Sequence, residues 1–236
     1  MMQLNTSPIE LGTAATNIPL AATSLLAVVL LWRWSSAHRL KACLWIGVFG
    51  GLTIAACLGV IVHGFAADPE TKKLIWHPLN AALALTVACF AAAAVLDQWG
   101  TSAAYRTLPG WLLLSAGFFL YTTFLVKSFL PFVIYEGVVM VFCLGVYARF
   151  AFRGRHAGAA WMLGGVAITI LAAVFQAARL GTFSLIVEFD HNSIFHLIQL
   201  PGLICLLIGL RRDLRPIESD SLGSLGKSPI ITQRRG

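Results

Sequence analysis

Apolar residues run through this chain in blocks far longer than a soluble helix needs, and polar residues fall between the blocks rather than opposite them. Crossing the hydrocarbon of a bilayer takes about 20 predominantly apolar helical residues, because every backbone polar group must be satisfied within the segment. Seven blocks meet that requirement, at about 17–34, 42–64, 77–97, 108–128, 131–151, 158–178 and 193–211. None has strong helix-period amphipathicity, as expected when both faces of a helix meet apolar surroundings. The run from Trp111 to Phe150 is about twice the length of one span. Lys127, Ser128 and Pro131 therefore mark a tight turn, with Pro131 opening the fifth helix. The pattern predicts an all-α, polytopic membrane protein, a bundle of seven transmembrane helices. Residues 1–16 would form an extracytoplasmic tail, 17–211 the membrane domain, and 216–236, rich in Ser, Gly and charge, a disordered cytoplasmic tail.

Composition agrees with that pattern. Hydrophobic residues are 58% of the chain and charged residues 11%, and mean hydropathy is +0.81. A soluble domain carries about 25% charged residues on its surface. The net charge of +7 would suggest nucleic acid if it were clustered, but its placement follows the spans. With the N-terminus outside, the inner loops hold Arg33, Arg39, Lys41, Arg106, Arg149, Arg153, Arg155, Arg211, Arg212 and Arg215. The outer segments hold only Lys72, Lys73, Lys127 and Arg179, and Lys227, Arg234 and Arg235 follow the last span. The positive-inside rule then predicts an outside N-terminus and a cytoplasmic C-terminus, in an integral protein of a bacterial inner membrane. Its partners would be membrane lipids, with no nucleic acid. Cys43, Cys57, Cys89, Cys143 and Cys205 all lie in apolar runs and read as small buried packing residues. No basic region precedes the first apolar run, so a cleaved signal peptide is not expected. Seven spans without an internal repeat disfavour an inverted-repeat transporter.

Polar residues inside spans are costly, which makes their positions informative. His63 ends the second span, His77 begins the third, and His191 and His196 begin the seventh, so the predicted topology brings all four toward the outer face. Asn192, His196 and Gln199, at i, i+4 and i+7, form one polar stripe. His191 and His196 are five apart, roughly 140° round a helix, so both could face one point only if His191 precedes the first turn with Asp190 or Asn192 as cap. Glu136 is the one carboxylate well inside a span, and Asp190 lies beside the seventh. Imidazoles with neighbouring carboxylates suit zinc, which takes three protein ligands in catalytic sites and acidifies a bound water. His63, His77, His191 and His196 are the candidate metal ligands, and Asp190 and Glu136 the candidate bases or orienting carboxylates. Two of the same histidines could instead be haem ligands in an electron-transfer protein. In a third alternative, they titrate in a non-catalytic sensor or ligand-binding protein.

This layout resembles the superfamily of seven-span membrane hydrolases that includes the alkaline ceramidases and the adiponectin/progestin receptors. The resemblance implies zinc held by His63 and by the seventh-span pair His191 and His196, and hydrolysis of a lipid amide or ester. The chain departs from that pattern in spacing the last pair HxxxxH rather than HxxxH. It also has Gly59 where a serine is typical, and His77 where an aspartate is typical. The Asp-His-Asn…His-Leu-Ile-Gln element also looks like one shared by bacterial seven-span proteins of unknown function.

Overall fold

Ser7 and Pro8 start the first helix well before the apolar run begins. The Ser7 hydroxyl accepts from the Glu10 N–H at 3.5 Å, and Pro8 occupies the first turn, where a missing N–H costs nothing. The computed structural model describes residues 3–35, 38–126, 130–154, 157–179, 181–184 and 188–214. Its helices are α1 (Pro8–Trp34), α2 (Arg39–Gly64), α3 (Pro69–Trp99), α4 (Thr101–Leu120), α5 (Leu130–Arg153), α6 (Ala159–Ala177) and α7 (His191–Leu214). A π-helical turn, Tyr121–Val126, continues α4. A two-stranded antiparallel hairpin, β1 (Phe183–Ser184) with β2 (Glu188–Phe189), precedes α7. All seven helices are long and apolar enough to cross a membrane, so the chain is an all-α, multi-pass membrane protein.

Two expectations are corrected. The segment read as a tail, 1–16, contains the first turns of α1. An apolar-run criterion misses them because their polar residues face inward: Thr13, Thr16 and Asn17 are all buried. The cysteines are all free thiols, but Cys43 and Cys57 are exposed on the bundle surface and are not buried packing residues. Pro131 is the second residue of α5, as its sequence suggested. Lys127, Ser128 and the tail 216–236 lie outside the described residues.

α3 is the central helix, with 72% of its apolar window buried against 11% for α4. Ala91, Ala92, Ala93 and Ala94 are all fully enclosed, and Trp45 of α2 meets Phe90 edge-on with centroids 4.8 Å apart. α1 packs against both α2 and α7 and so closes the bundle. α6 and α7 approach through glycines. A Cβ on Gly165 would stand 2.7 Å from Leu206 Cγ and 2.9 Å from the Gly202 carbonyl, and one on Gly158 would strike the Gly209 carbonyl. Small residues are what allow such contact between membrane helices.

The alternating helices define two ends. The start of α1, the end of α2 and the start of α7 meet at what we term the histidine end. The start of α2 and the ends of α3 and α7 meet at the lysine end.

A candidate two-histidine site and a buried ion triad

The chain before α1 lies across the histidine end. The Asn5 N–H donates to the Gly64 carbonyl at 2.9 Å, and the Ala66 N–H donates to Gln3 at 2.9 Å. The Asn5 side-chain amide donates to the His63 carbonyl at 3.1 Å. His63 is thereby fixed at the end of α2, with its ring edge-on to Trp76 at 5.7 Å. Its Nδ1 lies 2.7 Å from Glu10 Oε2, one turn into α1.

His196, one turn into α7, has its Nδ1 2.9 Å from Thr16 Oγ1. The Thr16 hydroxyl is within donating distance of the Gly12 and Thr13 carbonyls, at 3.1 and 3.0 Å. Its single proton has three candidate acceptors, the two carbonyls of its own helix and His196 Nδ1. The Glu10 carboxylate accepts a hydrogen bond from His63 Nδ1. Each imidazole is thus tied to α1 through its Nδ1.

Asp190 precedes α7 and caps it. Its Oδ1 accepts from the N–H of Ser193 at 2.9 Å and of Asn192 at 3.1 Å. The Ser193 hydroxyl also reaches it, at 3.1 Å, and the Thr13 hydroxyl at 3.2 Å. Partial burial pushes this carboxyl up, but the Ser193 hydrogen bonds, the His191 charge and Thr13 outweigh it and hold Asp190 below the ordinary carboxylate value. These commitments make Asp190 an orienting group rather than a free base.

The other sequence candidates are not brought into the pair. Trp76 uses the α3 face toward α2, and the next residue, turned about 100° round the helix, is His77, which packs on Phe124 with centroids 5.4 Å apart. His191 is the first residue of α7, with Nδ1 3.8 Å from Asp190 Oδ2. Glu136 is half-buried on α5. Among the described residues no group of three or more His, Cys, Asp or Glu is arranged to hold a metal ion. The stripe of Asn192, His196 and Gln199 divides between neighbours: Asn192 accepts from Gln176 and Gln199 donates to Thr169, both on α6 and both at 3.1 Å, while His196 faces α1. Sequence reasoning missed Glu10, Thr13, Thr16 and Asn17. Their i, i+3, i+6 and i+7 spacing was the available signal, hidden by assigning Glu10, Thr13 and Thr16 to a tail.

Gly59 has its own explanation. A Cβ there would stand 2.9 Å from Asn17 Oδ1 and 3.0 Å from Asn17 Cγ. Asn17, which donates to the Thr13 carbonyl at 3.0 Å, fills the space a serine would need.

The lysine end holds a second polar centre. Lys41 Nζ lies 2.9 Å from Asp97 Oδ1 and 3.1 Å from Asp213 Oδ2, with side-chain exposures of 10%, 6% and 7%. The Tyr147 hydroxyl donates to Asp97 Oδ2 at 3.1 Å, and the Gly158 N–H donates to Asp213 Oδ1 at 2.8 Å. The triad lines an open cavity of about 410 Å³ together with His38, Arg39 and Thr101. Lys41 was legible only as a topology charge, because its partners lie far away in sequence.

The model of one family matches residues 12–215, which takes in nearly all of the seven helices and both polar centres except Glu10. The chain belongs to DUF6962, a family of unknown function. No curated protein and no solved structure matches it. In this DUF6962 member, then, the two polar centres themselves are the guide to activity.

Proposed function

We propose that the histidine pair is a metal-binding centre of the zinc type, serving an integral membrane hydrolase that acts on a lipid amide or ester. The carrying observation is that each Nδ1 is occupied from α1, by Glu10 for His63 and by Thr16 for His196. Metal-bound histidines are ordinarily tied in this way through the nitrogen that faces away from the ion. His63 and His196 would hold the ion through Nε2, with Asp190 orienting the start of α7. Zinc at that point would supply Lewis acidity for hydrolysis. The count of basic residues supports a histidine end facing outward in a bacterial inner membrane, within reach of lipid at the interface.

The test is elemental analysis of gently purified protein, with His63→Ala and His196→Ala beside wild type. Near-stoichiometric zinc in wild type and its loss in both variants is the expected result; metal-free wild type sinks the proposal. A Soret band in the absorption spectrum would assign the same nitrogens to haem.

A second reading has its own support, since two imidazoles are fewer than the three protein ligands usual in catalytic zinc sites. In that reading the pair serves a non-catalytic sensor and binds a hydrogen-bond donor or a proton at the two imidazoles. Responses to ligand or pH that persist in a strong chelator would favour it.

A further inference from the structure

We infer that the Lys41–Asp213 ion pair is a releasable latch, through which the lysine end communicates with the two-histidine site at the opposite end of the bundle. The two ends share their helices. α2 carries Lys41 near its start and His63 at its end, and α7 carries His196 near its start and Asp213 at its end. The helix axes connect them over roughly 33 Å on α2 and 26 Å on α7, at about 1.5 Å per residue. α1 packs against both helices and lies between them, so α2 and α7 make little backbone contact of their own. Their direct side-chain tie among the described residues is Lys41 to Asp213, at 3.1 Å. At the other end α1 stands between them, tied to α2 by Glu10 and to α7 by Thr13 and Thr16.

Stoichiometry is what makes this tie a latch rather than a rivet. One ammonium faces two carboxylates, all nearly buried. If α7 moves away, Lys41 keeps Asp97, so no buried cation is left unpaired. Asp213 in turn keeps the Gly158 N–H and its place on the open cavity of about 410 Å³. Each partner therefore has a second arrangement ready, which is the physical requirement for a two-state element. The charged and titratable groups facing the latch are Asp97 from α3, Tyr147 from α5 through Asp97, and Arg39 and His38 at the cavity mouth. Those facing the histidine pair are Glu10 from α1 and Asp190 before α7. The inference rests on helices shared by the two centres and holds whether or not a metal binds.

Coupling between sites is reciprocal, so it can be read in both directions on the full-length protein in nanodiscs, at one fixed pH and with chelator present. In the first direction, ¹⁵N imidazole shifts of His63 and His196 are compared between wild type and Asp213→Asn, which retains an acceptor for Gly158. These resonances are expected to move while those of His77 stay fixed. In the second, labelling of Lys41 by an amine-reactive ester is followed by mass spectrometry in His196→Gln. The rate is expected to rise about fivefold or more, and to be unchanged in His77→Gln. Unmoved histidine shifts together with an unchanged Lys41 rate, in folded variants, would overturn the inference and leave a static staple. Asp213→Glu provides the same comparison if Asp213→Asn does not fold. Zinc content plays no part in either readout, so failure of the metal proposal and failure of the latch are separate results.

Discussion

Thr16 Oγ1 stands 2.9 Å from His196 Nδ1 and 3.0 Å from the carbonyl of Thr13, one turn back in α1. A threonine hydroxyl can serve an imidazole as donor or acceptor, and the i−3 and i−4 carbonyls compete for its one proton. Thr16→Val keeps the shape and removes the hydroxyl. His196 Nδ1 would then lack a partner, at a cost of about 1–3 kcal/mol. Nitrogen shifts of His196 in labelled protein should change from a single tautomer to a mixture. An unchanged tautomer would show that Thr16 does not set it.

Glu10 plays the corresponding part for His63, and here the partner is charged. Replacing it by Gln keeps a hydrogen bond but withdraws the negative charge that makes Nε2 a stronger donor. If the site holds zinc, Glu10→Gln should weaken its affinity roughly 10–100-fold, measured by competition with a chelator of known strength. An affinity equal to wild type would remove Glu10 from the site.

Gly59 and Asn17 provide a test by steric fit. Gly59→Ser drives a Cβ to within 2.9 Å of Asn17 Oδ1, and overpacking of this kind costs about 1–3 kcal/mol. Thermal unfolding in detergent should register the loss. The double variant Gly59→Ser with Asn17→Ala opens the space and should recover most of it. Additive losses in the double variant would mean that the two side chains do not compete.

What the sequence disclosed and what it withheld follows from the range of each interaction. Seven spans are written in local composition, because lipid demands long apolar runs. His63 and His196 were visible as costly residues near span ends. Their partners were not: Glu10 and Thr16 sit in a polar stretch that the apolar criterion discards, although membrane helices tolerate polar turns where these face the bundle. His77 looked equivalent to the others because depth can be read from a linear sequence, whereas direction round a helix requires knowing which neighbour lies there. Lys41, Asp97 and Asp213 come together only after three helices have packed, and no local pattern marks that meeting.

Asp190 sits outside the helices and gives a pH dependence with a definite sign. Its folded carboxyl titrates below the ordinary carboxylate value. Such a group contributes stability that is fully present above the unfolded value and is lost as pH falls through the folded one. Wild-type stability should therefore decline in acid below the ordinary carboxylate range, and Asp190→Asn should decline less over that window. At neutral pH the same substitution should cost about what wild type loses in acid, and Asp190→Ala, which removes the α7 cap, should cost about 1 kcal/mol. Parallel stability curves for wild type and Asp190→Asn would contradict the assignment.

The triad at the lysine end distinguishes a buried charge from a buried pair. Lys41→Met leaves Asp97 and Asp213 nearly enclosed with no cation between them, and breaking such a group typically costs about 3–5 kcal/mol. Replacing all three, as Lys41→Met with Asp97→Asn and Asp213→Asn, removes every charge that needed a partner. It also retains acceptors for the Tyr147 hydroxyl and the Gly158 N–H. The triple variant should therefore be far more stable than Lys41→Met alone and close to wild type, since desolvating three ions offsets most of what their attraction returns. Thermal denaturation of the three proteins in one detergent decides the matter. A triple variant as unstable as Lys41→Met would mean that the ammonium itself, rather than charge balance, holds α2 to α3 and α7.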